Sequence, residues 1–346
     1  MVTGGALVAQ TVTASDSGES KPARQSATLR ADVGQLVLLG FEGTAAPAWL
    51  RSLLRERAAA GVILFGANVR SRRQLRALTA SLQRAAHGAA IVSVDQEGGS
   101  VRRVPWLGPS AQPAQRTPAR ARREAAAAAR GLKRAGVNLN LAPVADVAVG
   151  PSAMRSRAFL GGPASVASLT AAAVRGYALS GVGATAKHFP GFGRARANTD
   201  QRAVTIGASR RALEGDLRPF GAAITAGVPA VMVSHAVYPA YDRARIASQS
   251  PVLLRLLRGR LGFRGAVLTD SLDAAAVQAR SSIGTAAARS LSAGADLLLV
   301  GGPSGYKRVH RRLLSSARRS ARFRARVADA AQHVRELKRR LGLRAP

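Results

Sequence analysis

Ionisable residues stand at the ends of four short apolar runs: Asp95 after Ile91-Val92-Ser93-Val94, Lys187 and His188 closing 184–188, His235 after Met232-Val233-Ser234, and Asp270 after Ala266-Val267-Leu268-Thr269. Burying a charge without a partner is expensive. These positions therefore form either a structural ion-pair network or a site. Asp270 is delivered by an apolar strand to the point where a helix begins, where it reads either as a helix cap or as a carboxylate of a site. The segment Lys187-His188-Phe189-Pro190-Gly191-Phe192-Gly193 favours the site, because its glycines let backbone approach a ligand closely while Lys187 and His188 present several donors to ligand hydroxyls. His235 is expected either to line that site or to orient a carboxylate. His87, His310 and His333 lie in Arg/Ala-rich helical segments and read as surface residues. No His/Asp/Glu cluster has metal-ligand spacing, and no serine sits in a nucleophile-elbow context.

Elements that would position these residues follow from the alternation of short apolar runs with longer Ala/Arg/Leu segments of helical period, the mark of repeated βα units. Strands are predicted at 36–39, 62–65, 91–94, 139–143, 184–188, 230–234, 266–269 and 297–300. Helices are predicted at 71–86, 117–135, 164–180, 210–226, 251–261, 271–293 and from 306 onward, with Gly136 and Gly181 as C-terminal caps. Eight strands favour a single-domain (β/α)8 TIM-type barrel over an open sheet. In that fold the functional groups gather where the C-terminal strand ends form one rim. A barrel of about 250 residues plus tails accounts for the 346 present. The domain is expected over 31–346, its basic C-terminal helix packed outside the barrel. Residues 1–30 read as a disordered tail or a truncated signal segment, which leaves localisation open between cytoplasm and export.

Composition narrows the partners. The formal charge is +34, but only five of the 52 basic residues are lysine and the arginines are scattered along every segment. Compositional bias accounts for this first, attraction to an anionic wall polymer second, and nucleic acid last, since no zinc-finger spacing, basic heptad region or aromatic-flanked basic strand is present. No run is long and apolar enough for a transmembrane span. Without cysteine, neither a disulfide framework nor a thiolate metal site is available.

From Val33 to Val300 the chain resembles the N-terminal barrel domain of glycoside hydrolase family 3, and especially its single-domain bacterial β-N-acetylhexosaminidases. The resemblance rests on motifs in family order: Gly34-Gln35 with Gly40-Phe41, Phe65-Gly66-Ala67-Asn68-Val69, Asp95-Gln96-Glu97-Gly98-Gly99-Ser100-Val101-Arg102-Arg103, Ala142-Pro143-Val144-Ala145-Asp146, Arg157-Ala158-Phe159, the Lys187 segment, 235–239 and 262–272. It implies that Asp270 is the nucleophile and that Asp95, Arg103, Arg157, Lys187 and His188 hold the sugar in the first subsite. The implied chemistry is retaining hydrolysis through a covalent glycosyl-enzyme, which needs no metal or organic cofactor.

One loop departs from the pattern. Where the hexosaminidase branch carries Asp-Ser-His, with the histidine as acid/base, this chain reads Asn198-Thr199-Asp200, and Phe192 stands where the branch has a histidine. Asp200 then occupies the place of the proton shuttle, and Asn198 cannot supply the charge that would assist a histidine. A carboxylic acid serves if burial or the Asp270 charge raises its pKa. The other reading makes Asp200 a solvated loop residue. Three functions follow: a β-N-acetylhexosaminidase, a family 3 enzyme for another β-glycoside, or a non-catalytic wall-polymer or carbohydrate-binding protein. Retention of Asp270 in its full strand context favours an enzyme with a carbohydrate substrate.

Overall fold

The computed structural model describes Met1 and residues 21–344. Eight parallel strands close into one barrel: β1 (Val37–Gly40), β2 (Gly61–Leu64), β3 (Ile91–Val94), β4 (Leu139–Asn140), β5 (Gly183–Phe189), β6 (Ala230–Val233), β7 (Ala266–Ser271) and β8 (Leu297–Gly301). Closure occurs between β1 and β8, where Val37 to Gly40 pair with Leu298 to Gly301. The staves are short and almost wholly aliphatic because barrel side chains fill the interior on one face and meet helices on the other. Each predicted strand is present, although the fourth ends at Asn140 and only an isolated bridge, Val144 to Lys187, continues its pairing.

Helices cover the barrel, and serine or threonine starts many of them. Ser71 accepts from the Gln74 amide and Thr117 from that of Arg120, supplying oxygen to otherwise unpaired N–H groups. Helices Pro118–Arg134 and Pro163–Ala178 pack so closely that a Cβ on Gly176 would lie 2.4 Å from the Arg122 carbonyl oxygen. Periodicity overran the breaks elsewhere. The helix expected at 210–226 is divided into Arg210–Asp216 and Arg218–Thr225, with Pro219 in the first turn of the second piece. The one expected at 271–293 becomes Ala275–Gln278 and Ile283–Ala293, the latter capped by Ser282. Helix Ala48–Arg55 was not foreseen.

At the amino end, a helix spans Lys21–Gly34, so the domain boundary drawn at residue 30 falls inside it. Residues 2–20 of the expected tail lie outside the described residues. At the other end, helix Ala321–Arg340 does more than pack outside the barrel. Its Lys338 Nζ donates to Gln35 Oε1 below β1, Arg340 reaches the Gly227 carbonyl before β6, and Leu341 lies against Gly183 at the start of β5. The terminal turn thus covers the N-terminal face, leaving the opposite rim for chemistry. Among the described residues no helix is long and apolar enough to cross a membrane.

Candidate active site

At the C-terminal strand ends a cavity of about 410 Å³ opens among Asp95, Arg103, Arg157, Lys187, His188, Asn198, Asp200 and Asp270, together with Glu97, Asp273 and apolar walls. Eight of the nine residues singled out in the sequence therefore line one space. Two strands are irregular where they reach it. Pairing of β5 with β6 shifts between Ala186 and Phe189, and pairing of β7 with β8 shifts between Leu268 and Ser271. Such bulges re-aim side chains. The consecutive residues Lys187 and His188 both line the cavity as a result, as do Asp270 and Ser271.

Charges on one wall of the cavity are paired across long stretches of chain. Lys187 Nζ lies 2.5 Å from Asp95 Oδ1 and 2.6 Å from Glu97 Oε1, and Arg157 grips Glu97 through two bonds of 2.8 and 2.7 Å. Burial alone would raise the Glu97 carboxyl; Lys187 and Arg157 outweigh it and bring it down to about 2. The same burial would lower Lys187, but Asp95 and Glu97 keep its ammonium above the ordinary lysine value. The ion-pair network thus lines the cavity. Arg103, whose buried Nε has no partner among the described residues, lines the same cavity and keeps a donor in reserve.

His188 is held by Asp146, whose Oδ2 lies 2.8 Å from Nδ1 and whose Oδ1 accepts from the His188 and Phe192 amides. Phe192 packs edge-on to the imidazole, with ring centroids 5.9 Å apart. Glu97 and Asp146 were quoted in the motifs without a role. Both carried a legible signal: Glu97 is two residues beyond Asp95, on the same side of extended chain, and Asp146 ends an apolar run.

His235 does not line the cavity. It is wholly buried, with Nδ1 2.8 Å from Ser248 Oγ and Nε2 2.9 Å from the Ser271 carbonyl oxygen. A carbonyl only accepts, so Nε2 carries hydrogen and His235 fixes the backbone beside Asp270. Of the two roles left open for it, sugar contact is removed. His310 and His333 also depart from expectation, being half-buried: His310 stacks on Tyr306 and His333 meets Asp296 at 3.2 Å. Only His87 is exposed.

Two of the three cavity carboxylates outside the Lys187 network, which holds Asp95 and Glu97, sit in contrasting fields. Asp270 keeps surface toward the cavity but is otherwise enclosed; burial would raise it, yet His188, His235, the Ser271 amide and Lys187 together hold it below the ordinary aspartate value. The Ser271 amide donates to Asp270 Oδ1 at 2.8 Å. Asp200 is more open to solvent at the mouth, where partial burial and then the Asp270 charge raise its carboxyl, against a bond of 3.1 Å from Asn198 Nδ2. Its loop is tied to the segment after Asp270, since the Ala275 and Ala276 amides donate to the Asp200 and Thr199 carbonyls. Asp273, the third carboxylate, accepts from the Gly301 amide. Among the described residues no group of three or more His, Asp or Glu is arranged to hold a metal ion.

Known proteins share this fold. A family model described as the glycosyl hydrolase family 3 N-terminal domain matches residues 28–337. A β-hexosaminidase of Xanthomonas campestris pv. campestris is 37% identical over 282 residues, covering 77% of this chain and 84% of its own length. The structure of a β-N-acetylhexosaminidase from Beutenbergia cavernae superposes with a TM-score of 0.83 at 32% identity, covering 90% of this chain and 98% of the other. A family 3 β-N-acetylglucosaminidase from a Paenibacillus species gives a TM-score of 0.86 at 33% identity, covering 91% of this chain but 62% of that one. With its barrel, its rim charges and its match over most of the sequence, the chain belongs to glycosyl hydrolase family 3, as that family's N-terminal domain.

Proposed function

We propose that this glycoside hydrolase is a retaining β-N-acetylhexosaminidase that cleaves β-linked N-acetylglucosaminides with Asp270 as nucleophile and Asp200 as acid/base. The carrying observation is the opposed tuning of two carboxylates in one cavity, Asp270 held low and Asp200 raised in part by the Asp270 charge. A nucleophile must be ionised and an acid protonated at the same pH, and contrasting environments achieve that. Asp270 attacks the anomeric carbon while Asp200 gives its proton to the departing glycosidic oxygen. The Asp200 carboxylate then takes a proton from water as that water displaces Asp270 from the anomeric carbon. Lys187, Arg157, Arg103 and His188 hold the sugar's polar groups. The relatives named as hexosaminidases support an acetamido sugar at this position.

Asp200→Ala tests the assignment. Hydrolysis of an unactivated disaccharide is expected to fall by roughly 10²–10⁴-fold, while glycosylation by an activated aryl glycoside is largely spared. Azide, which needs no deprotonation, is expected to restore breakdown of the glycosyl-enzyme and yield the β-glycosyl azide. In the wild type, kcat/KM should fall as pH rises through the raised Asp200 pKa, above an ordinary carboxyl value of about 4. Asp270→Ala should abolish turnover of both substrates. An unchanged ratio of activated to unactivated rates in Asp200→Ala, with no azide effect, would remove Asp200 and leave Asp273 as the remaining carboxylate to test.

A further inference from the structure

Beside the catalytic cavity lies a second groove of about 710 Å³ that shares two walls with it, Phe65 and Asp273. Its other surfaces include Trp49, Pro47, Pro303 and Glu42. Phe65 is 40% exposed, the only aromatic among the large exposed hydrophobic side chains of the described residues. It is exposed by construction. Buried Asn68 accepts from the Phe65 amide at 2.8 Å and donates to the Phe41 and Gly43 carbonyls at 2.9 and 2.7 Å, locking strand β2's exit to the loop after β1. Glycines at the ends of β1 and β8 make room. A Cβ on Gly40 would come within 3.2 Å of the Phe65 ring, and one on Gly301 within 3.0 Å of Asp273 Oδ2.

Charge in this groove runs against the rest of the molecule. The chain carries 52 Lys and Arg against 18 Asp and Glu, yet the groove is lined by two carboxylates and by no cationic side chain. Resting on the hydrolase reading above, we infer that this groove is the leaving-group subsite and that it takes an uncharged pyranose. A pyranose has an apolar C–H face suited to Phe65 and Trp49, and hydroxyls suited to Glu42 and Asp273 as acceptors. A leaving sugar bearing a carboxylate would meet Glu42 and Asp273 with like charge and no cation in the groove's lining, the Arg308 charge reaching Asp273 only from outside it, so it is selected against.

The test uses the full chain with three substrates that share one N-acetylglucosaminyl group: the glycosyl fluoride, whose leaving group is one atom; an N-acetylglucosaminyl disaccharide with a neutral leaving sugar; and its counterpart with a carboxylate-bearing leaving sugar. Trp49→Ala is expected to lower kcat/KM on the neutral disaccharide about tenfold and leave the fluoride within about twofold. Glu42→Lys is expected to bring the two disaccharides closer in kcat/KM. Equal losses on fluoride and disaccharide in Trp49→Ala, no loss on either, or a wild-type preference for the carboxylate-bearing disaccharide would overturn the inference. Turnover of none of the three by wild type would instead strike at the hydrolase reading. The groove then remains testable by binding: in Trp106→Phe, Trp49 is the sole tryptophan. Its emission should shift with the neutral disaccharide but not with the monosaccharide, and silence with both excludes the subsite.

Discussion

Lys187 lines the cavity and also neutralises Asp95 and Glu97, the latter almost completely buried. Removing one member of a buried ion pair leaves the other uncompensated at a cost of about 3–5 kcal/mol. Lys187→Ala is therefore expected to lose both kcat/KM and stability, the latter by about that amount. Replacing Lys187 by Met together with Glu97 by Gln should restore part of the stability but none of the activity. Denaturant unfolding of the single and double variants measures this. A single variant as stable as wild type would mean that water already screens the pair. Arg157→Ala poses the same test more mildly, because Arg157 keeps more of its surface exposed.

Among the elements, the C-terminal helix Ala321–Arg340 carries a buried lysine toward the bottom of the barrel. Among the described residues Lys338 has no carboxylate partner and its ammonium donates only to Gln35 Oε1, at 2.6 Å; burial, with Arg57 adding to it, lowers its pKa to about 7. Unfolded, a lysine titrates near 10.4. Between about pH 7 and 10.4 the unfolded chain holds a proton that the folded chain has shed, so this group makes stability rise with pH across that window. Below it, both states are charged and the burial penalty is carried in full. Lys338→Met is expected to stabilise the protein most at pH 6 and to flatten the slope. Subtracting the variant's unfolding free energy from that of wild type at each pH isolates the effect, and a difference independent of pH would show that Lys338 is solvated in the folded state.

For the whole molecule, a charge of +34 on 346 residues sets a self-repulsion that the few carboxylates only locally relieve. Asp296, for example, gathers Arg258 and Arg326 at its two oxygens and His333 beside them. Raising ionic strength from about 0.01 to 0.15 M shortens the screening length from about 30 to 8 Å, which should raise the melting temperature. Thermal unfolding in a chloride series at fixed pH checks this. A fall in Tm with salt would mean that attractive ion pairs outweigh the net repulsion.

The barrel and most of the rim are legible in the order of residue types. Eight aliphatic runs separated by helical periods have few other ways to bury their surfaces, and a charge that ends such a run, as at Asp95, Lys187 or Asp270, must emerge at the rim. That order also exposed the substitution at Asn198-Thr199-Asp200, a matter of side-chain identity alone. Which charges meet depends instead on how the strands pack. Glu97 joins Arg157 across 60 residues and Asp95 joins Lys187 across 92, distances over which periodicity carries no information. The same holds for His235, which the strand pattern brought to the rim but which Ser248 and the Ser271 carbonyl draw behind the cavity. The groove between β1, β2 and β8 likewise exists only because barrel closure sets β1 against β8. Local pattern reports which face of an element is buried; much of the field at Asp270 and Asp200 comes from groups distant in sequence, such as His188 and Lys187 at Asp270 and Asp270 at Asp200, and folding alone assembles it.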